Sequence, residues 1–170
     1  NKSVKPPVID YIRHYVLTYQ GTSNDFLTTL MYLAPIENNL LNAEFTHKFL
    51  FNISLPDRDY LWTIFINKDY MESDDLETIV KFCFTNSFTN YSDNSVKLYS
   101  IILAWFLTSS HRKLRDYSTK ALVYILKNRI DVLIKILKQF ENVNDPYVYE
   151  RLFAVAYGCT LLNTNNSNLD

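Results

Sequence analysis

The sequence predicts an all-α fold built from stacked helix pairs, irregular in its N-terminal half, and three observations predict it. Glycine occurs only at Gly21 and Gly158, against an average usage of about 7%, so the Asn-Gly and Asp-Gly turns of tight β-hairpins are missing. Apolar residues recur at i, i+3 and i+4 along nearly the whole chain, which is the period of an amphipathic helix. The strings KALV at 120–123 and FAVA at 153–156 stand 33 residues apart, each in a predicted helix that follows a short loop, with one further helix between them.

Each element follows from local signals. A helix over 8–19 follows the paired prolines and sets Ile9, Ile12, Val16 and Tyr19 on one stripe. Periodicity predicts helices over 26–33 and 40–51, the second directing Leu41, Phe45, Phe49 and Ile53 inward. In LPDRDYLWTIFINK at 55–68, Pro56 sits in the first turn, Asp57 and Asp59 face the positive end of the dipole, and Leu61, Ile64 and Phe65 point inward. Ser73 is the expected N-cap of the helix that begins in SDDLETIV.

The second half is more regular. Residues 95–108 are apolar on almost every face, so that helix belongs in the middle of the structure. Over 111–127, Leu114, Ser118, Ala121, Leu122 and Ile125 form one side, and Lys113, Asp116, Lys120 and Lys127 the other. A helix over 131–140 buries Val132, Leu133, Ile136, Leu137 and Phe140. In NDPYVYERLFAVAYGCTLL, Asp145 is the N-cap, Pro146 the first helical residue, and the apolar run a helix enclosed on most sides. Ala154 and Gly158, four residues apart, form a small-residue seam for a close neighbour.

A 33-residue period lies in the range of helix-pair repeats, so the expected architecture is a HEAT/armadillo-like α-superhelix; a compact irregular helical bundle is the alternative. Residues 1–162 form one helical-repeat domain, with a possible division into an irregular half over 1–90 and a HEAT-like half over 91–162; 163–170 is a polar disordered tail. The opening NKSVKPP lacks an initiator Met and has the character of a cut or a linker, so the chain is expected to be a fragment of a larger multidomain protein.

Composition bounds function. At 170 residues, 48% hydrophobic and 21% charged, the chain can bury a full core without metals or disulfides, and a net charge of −1 excludes a polyelectrolyte built for nucleic acid. Cys83 and Cys159 lie among apolar neighbours and suit buried free thiols in a reducing compartment, so the expected location is cytoplasmic. The longest uncharged apolar stretch, LYSIILAWFL at 98–107, is too short to span a bilayer, which takes about 20 residues.

Catalytic chemistry finds no foothold. His14, His47 and His111 have no metal-ligand spacing, no CxxC or GxSxG occurs, and two glycines cannot build a phosphate loop. The carboxylate pairs Asp57/Asp59 and Asp74/Asp75 sit at helix starts, where the dipole explains them. The expectation is therefore no enzyme, no catalytic residue, and no cofactor or metal in this segment.

Charge is uneven along the chain. Residues 52–80 carry seven acids and two bases, net −5, whereas 111–140 carry eight bases and two acids, net +6. Lys113, Lys120 and Lys127 recur every seven residues and form a stripe; with Lys135 and Lys138 they are the candidate partner or nucleic-acid surface. A solvated helix face is the plainer reading of the same lysines. Thirteen tyrosines and eleven phenylalanines supply rings, most of them on apolar stripes. The neighbours Arg58–Asp59, Arg115–Asp116 and Glu150–Arg151 fall in first turns, where an acid can accept backbone N–H groups and an arginine can bridge to an adjacent carboxylate or loop carbonyl.

The strings LPDRDYLW (55–62), TSSHRKLRDYSTKALVYIL (108–126) and VNDPYVYERLFAVAYGCTL (143–161) resemble motifs in the C-terminal sensor region of bacterial antiphage STAND NTPases of the Avs (AVAST) class. The matching positions are Arg58, Asp59 and Trp62; Arg115, Asp116, Thr119 and Lys120; and Asn144, Asp145, Pro146, Tyr147, Glu150, Arg151, Tyr157 and Gly158. His111 stands where the pattern has Asn. The resemblance implies a helical-repeat region that recognises a conserved phage protein, such as a terminase or portal subunit, by shape. ATP and Mg²⁺ would then belong to the parent protein's NTPase core, which has no counterpart in these residues.

Overall fold

The computed structural model describes residues 20–163, which form helices joined by short turns, with no strand among them. The helix expected over 8–19 lies outside the described residues. In chain order the helices are α1 (Gln20–Leu33), α2 (Ala43–Asn52), α3 (Leu55–Arg58), α4 (Ile64–Glu72), α5 (Asp75–Thr85), α6 (Asp93–Phe106), α7 (Arg112–Leu126), α8 (Ile130–Phe140) and α9 (Pro146–Asn163). A π-helical turn, Asp59–Thr63, makes α3 and α4 one continuous rod, and a 3₁₀ turn, Phe88–Asn90, precedes α6.

Side-chain caps set several of the starts. Asn42 accepts from the Glu44 amide, which starts α2 at Ala43 rather than at Leu40; the residues before it are held in turns by Asn39 and Asn42. Ser54 caps α3 and Ser92 caps α6 through the Asp57 and Ser95 amides. The Asp145 carboxylate accepts from the Val148 amide at 3.3 Å, with Pro146 first in α9. Ser73 stands one residue outside the α5 cap position, which Asp74 occupies; its hydroxyl accepts from the Asp75 amide at 3.3 Å.

α6 occupies the centre. Ile101 to Leu107 are all buried, because neighbours cover this helix on every side. On one flank Glu44 of α2 accepts from Lys97 of α6 at 2.6 Å and from Gln139 of α8 at 2.9 Å. His47 lies in a ring box of Phe51, Trp105 and Phe140 beside them, so α2, α6 and α8 pack as one group. On the other flank α7 packs between α5 and α9. The buried side chains from Leu27 to Cys159 form one continuous cluster.

Pairs of helices run parallel in a recurring register. α6 meets α8 at Asp93–Arg129 and Trp105–Phe140. α7 meets α9 at Asp116–Arg151, Val123–Gly158 and Lys127–Asn163. Every one of these pairs is separated by 35 or 36 residues. The 33-residue spacing between KALV and FAVA marks the same relation between α7 and α9, but the residues that touch are two or three further on.

Three expectations are corrected. Ile64 is 51% exposed, and Ile66 is buried in its place. The wide π turn lowers the rotation per residue, so the inward stripe runs Leu61, Trp62, Phe65, Ile66. α9 is not enclosed on most sides: Val148, Leu152, Val155 and Cys159 are buried against the described helices, while Phe153, Tyr157, Leu161 and Leu162 are exposed. Asn163 belongs to α9 rather than to a tail, since its amide donates to the Lys127 carbonyl at the open end of α7.

Candidate functional site

The π-containing rod α3–α4 crosses the two turns that feed α7 and α9. Arg58 is 1% exposed; its Nη2 donates to the Asn144 carbonyl at 2.8 Å and lies 3.8 Å from the Asp145 carboxylate. The guanidinium stands 5.4 Å from the Trp105 ring centroid. Burial pulls its pKa down, against the pull of Asp145 and Asp59. Trp62 is fully buried and its indole N–H donates at 3.1 Å to the Trp105 carbonyl in the last turn of α6, which also accepts from the Thr108 hydroxyl at 2.8 Å. Asn67 then exchanges hydrogen bonds with Ser109 and Ser110, and Tyr70 packs on His111 at 4.6 Å between ring centroids.

The other motif residues continue this bracing. Arg115 donates to the Ser109 carbonyl at 2.6 Å. Arg151 donates to Asp116 at 3.1 Å and to the Tyr147 hydroxyl through both Nε and Nη2; the Tyr147 bond, followed by Asp116, raises its pKa. Tyr147 lies with its ring centroid 5.5 Å from the Arg115 guanidinium and 5.4 Å from that of Arg151. Asp59 accepts from Thr63 one turn on, and Glu150 is exposed. A Cβ at Gly158 would lie 2.9 Å from Val123 Cγ2, so this glycine sets how closely α9 approaches α7. Ala154 is exposed and takes no part in that approach.

The lysine stripe has a structure of its own. Lys113 and Lys120 stand 5.8 and 5.7 Å from the Tyr117 ring centroid, and Lys127 stands 4.7 Å from that of Tyr124. Positions 113, 117, 120, 124 and 127 therefore alternate cation and ring along the outward side of α7. Phe84 of α5 packs against Tyr124 at 5.8 Å. Below Tyr117, an apolar groove of about 100 Å³ opens between α5 and α7, lined by Val80, Phe84, Leu114 and Tyr117 and edged by Lys81 and Glu77. Lys135 and Lys138 are exposed on α8 and lie outside this ladder.

Exposed rings are what sequence reasoning missed. Tyr117, Tyr124, Tyr147, Phe153 and Tyr157 are each at least 40% exposed, although aromatics were expected mainly on buried stripes. The signal was present for α7, since Tyr117 and Tyr124 share the heptad spacing of the lysines and are polar-face positions.

Cys83 and Cys159 are free and buried, and burial pushes their thiols up to about 12 and about 11. Among the described residues no three His, Cys, Asp or Glu side chains are placed to share a metal ion, and no helix is long and apolar enough to cross a membrane. Comparison with protein-family models, curated proteins and solved structures returns no match to this chain.

Proposed function

We propose that this chain is a non-enzymatic scaffold domain that docks a protein, built as a HEAT/armadillo-like helical repeat. The observation that carries this reading is the exposed side of α9, where Phe153 (53% exposed) and Tyr157 (67%) lie on a helix whose opposite side is buried. A contiguous apolar face on an otherwise packed helix marks a protein contact, and tyrosine is among the residues that dominate such contacts. The recurring 35–36-residue register of α6–α8 and α7–α9 supports the repeat architecture.

In this reading, which the motif resemblance supports, the domain belongs to the target-sensing region of a cytoplasmic antiviral NTPase and its partner is a phage protein. The residues that carry the resemblance act in this reading as framework: Arg58, Trp62, Arg115 and Arg151 hold turns and neighbouring helices.

A second reading, a nucleic-acid-binding helical repeat, has the basic face of 111–140 in its favour. Titration of duplex and single-stranded DNA at low and moderate salt separates the two. The protein-docking reading predicts no saturable binding at low salt. Saturable binding that falls steeply with salt, and is lost in Lys113→Gln/Lys120→Gln/Lys127→Gln, would replace it with the nucleic-acid reading.

A further inference from the structure

We propose that the lysine–tyrosine ladder of α7, with the groove between α5 and α7, docks an acidic peptide segment carrying an aliphatic anchor side chain. This rests on the protein-docking reading and names the chemistry of one partner segment.

Two features define the surface. The first is uncompensated charge. Glu77 lies 3.1 Å from Lys81 and 3.9 Å from Lys113, and Asp116 is occupied by Arg112 and Arg151. No carboxylate among the described residues lies within salt-bridge distance of Lys120 or Lys127. Their ammonium groups stand over tyrosine rings instead, at 5.7 and 4.7 Å. A cation so held keeps outward donors for an incoming carboxylate, and the ring contact restricts its side chain before binding, which lowers the entropy lost on docking.

The second feature is the groove beside the ladder. Its lining of Val80, Phe84, Leu114 and Tyr117 accepts an aliphatic side chain, and its volume of about 100 Å³ suits a side chain of leucine size. From Lys113 to Lys127 the ladder is about 21 Å long at 1.5 Å per residue, the length of a four-turn helix. An amphipathic acidic helix lying along α7 would put its apolar residues toward α5 and its carboxylates over Lys120 and Lys127.

Single-stranded nucleic acid fits less well. Stacking needs a free aromatic face, and Tyr117 has an ammonium group near its ring from each of two lysines. Carboxylates need only the lysine donors.

The test is fluorescence anisotropy on the full chain with three labelled probes: a peptide of about 15 residues with leucines at i, i+4, i+7 and i+11 and glutamates elsewhere, the same peptide with glutamine for every glutamate, and an oligothymidylate. The expected result is saturable binding of the glutamate peptide, weakened at least tenfold in Lys120→Gln/Lys127→Gln and in Tyr117→Ala, with the glutamine peptide weaker by a similar factor. Circular dichroism melting of each variant checks that the fold is kept, which surface lysines allow. Equal binding of the two peptides, unaffected by the lysine variant, overturns the acidic-segment proposal and leaves protein docking standing. Binding of the oligonucleotide in preference to both peptides overturns the proposal and the docking reading together. No binding of any probe overturns the proposal alone, because the exposed Phe153 and Tyr157 of α9 are independent of it.

Discussion

At the scale of single residues, the polar groups that matter are those with little water around them. His47 is buried against Phe51, Trp105 and Phe140, and its pKa falls to about 4, chiefly through burial and further through Lys97; Glu44 and a hydrogen bond to the backbone at Gln139 oppose the fall. An unfolded chain returns the imidazole to about 6.5. Between those values the unfolded state binds more protons, so stability is full above about pH 6.5 and declines as pH falls toward 4, by up to about 3 kcal/mol at the rate of 1.36 kcal/mol per unit. Urea titrations at pH 7.5 and 5 should show that decline, and His47→Leu should flatten it. An equally steep decline in the variant would assign the effect to another group.

The arginines can be ranked on the same physical ground. Arg58 has 1% of its side-chain surface exposed and Arg151 has 26%. Replacing Arg58 by methionine keeps volume but leaves the Asn144 carbonyl without its donor and the Asp145 carboxylate without its paired cation, at a cost of about 3 kcal/mol. Arg151→Ala loses a half-wet bridge and should cost about 1 kcal/mol and lower the melting temperature. Denaturant midpoints for both variants check the order. Equal losses would mean that burial does not set the strength of the braces.

At the scale of elements, the approach of α9 to α7 is set by a missing methyl group. Gly158→Ala would gain about 1 kcal/mol from helix propensity alone. The added Cβ would meet Val123 Cγ2 at 2.9 Å, and a β-branched side chain has no second rotamer to retreat to within a helix. The substitution should therefore destabilise by about 1–2 kcal/mol, and Val123→Ala in the same chain should abolish that loss. A stabilised single variant would show that the two helices are free to separate. Sequence periodicity made this seam legible at Gly158, where glycine inside a helix requires a reason. It gave no warning that Ala154 faces outward, because a small apolar residue carries the same signal on a buried and an exposed face. The π turn at Asp59–Thr63 was illegible for a related cause: every residue in DYLWT is compatible with an α-helix, and the distant partners that hold Arg58 and Trp62 at this turn leave no local signal.

At the scale of the whole molecule, the central place of α6 was legible because a helix apolar on every face can be stable only when surrounded. The arrangement of α7 and α9 was legible in outline through the recurring strings, and less so in register. α9 was the largest misreading: an apolar run of that length was expected to be covered, and its Phe153, Tyr157, Leu161 and Leu162 are exposed. The lysine ladder was legible as charge but not as a joint surface with Tyr117 and Tyr124, since those rings were assigned to neither side of the helix. In the proposed reading these exposed groups meet the partner, while the braces hold the frame. The most direct measurement is co-elution of the chain with purified phage portal and terminase subunits, compared with Phe153→Asp/Tyr157→Asp. The account predicts a complex with at least one of them that the paired substitution abolishes without lowering the melting temperature; a complex that survives the substitution, or none with any subunit, would contradict it.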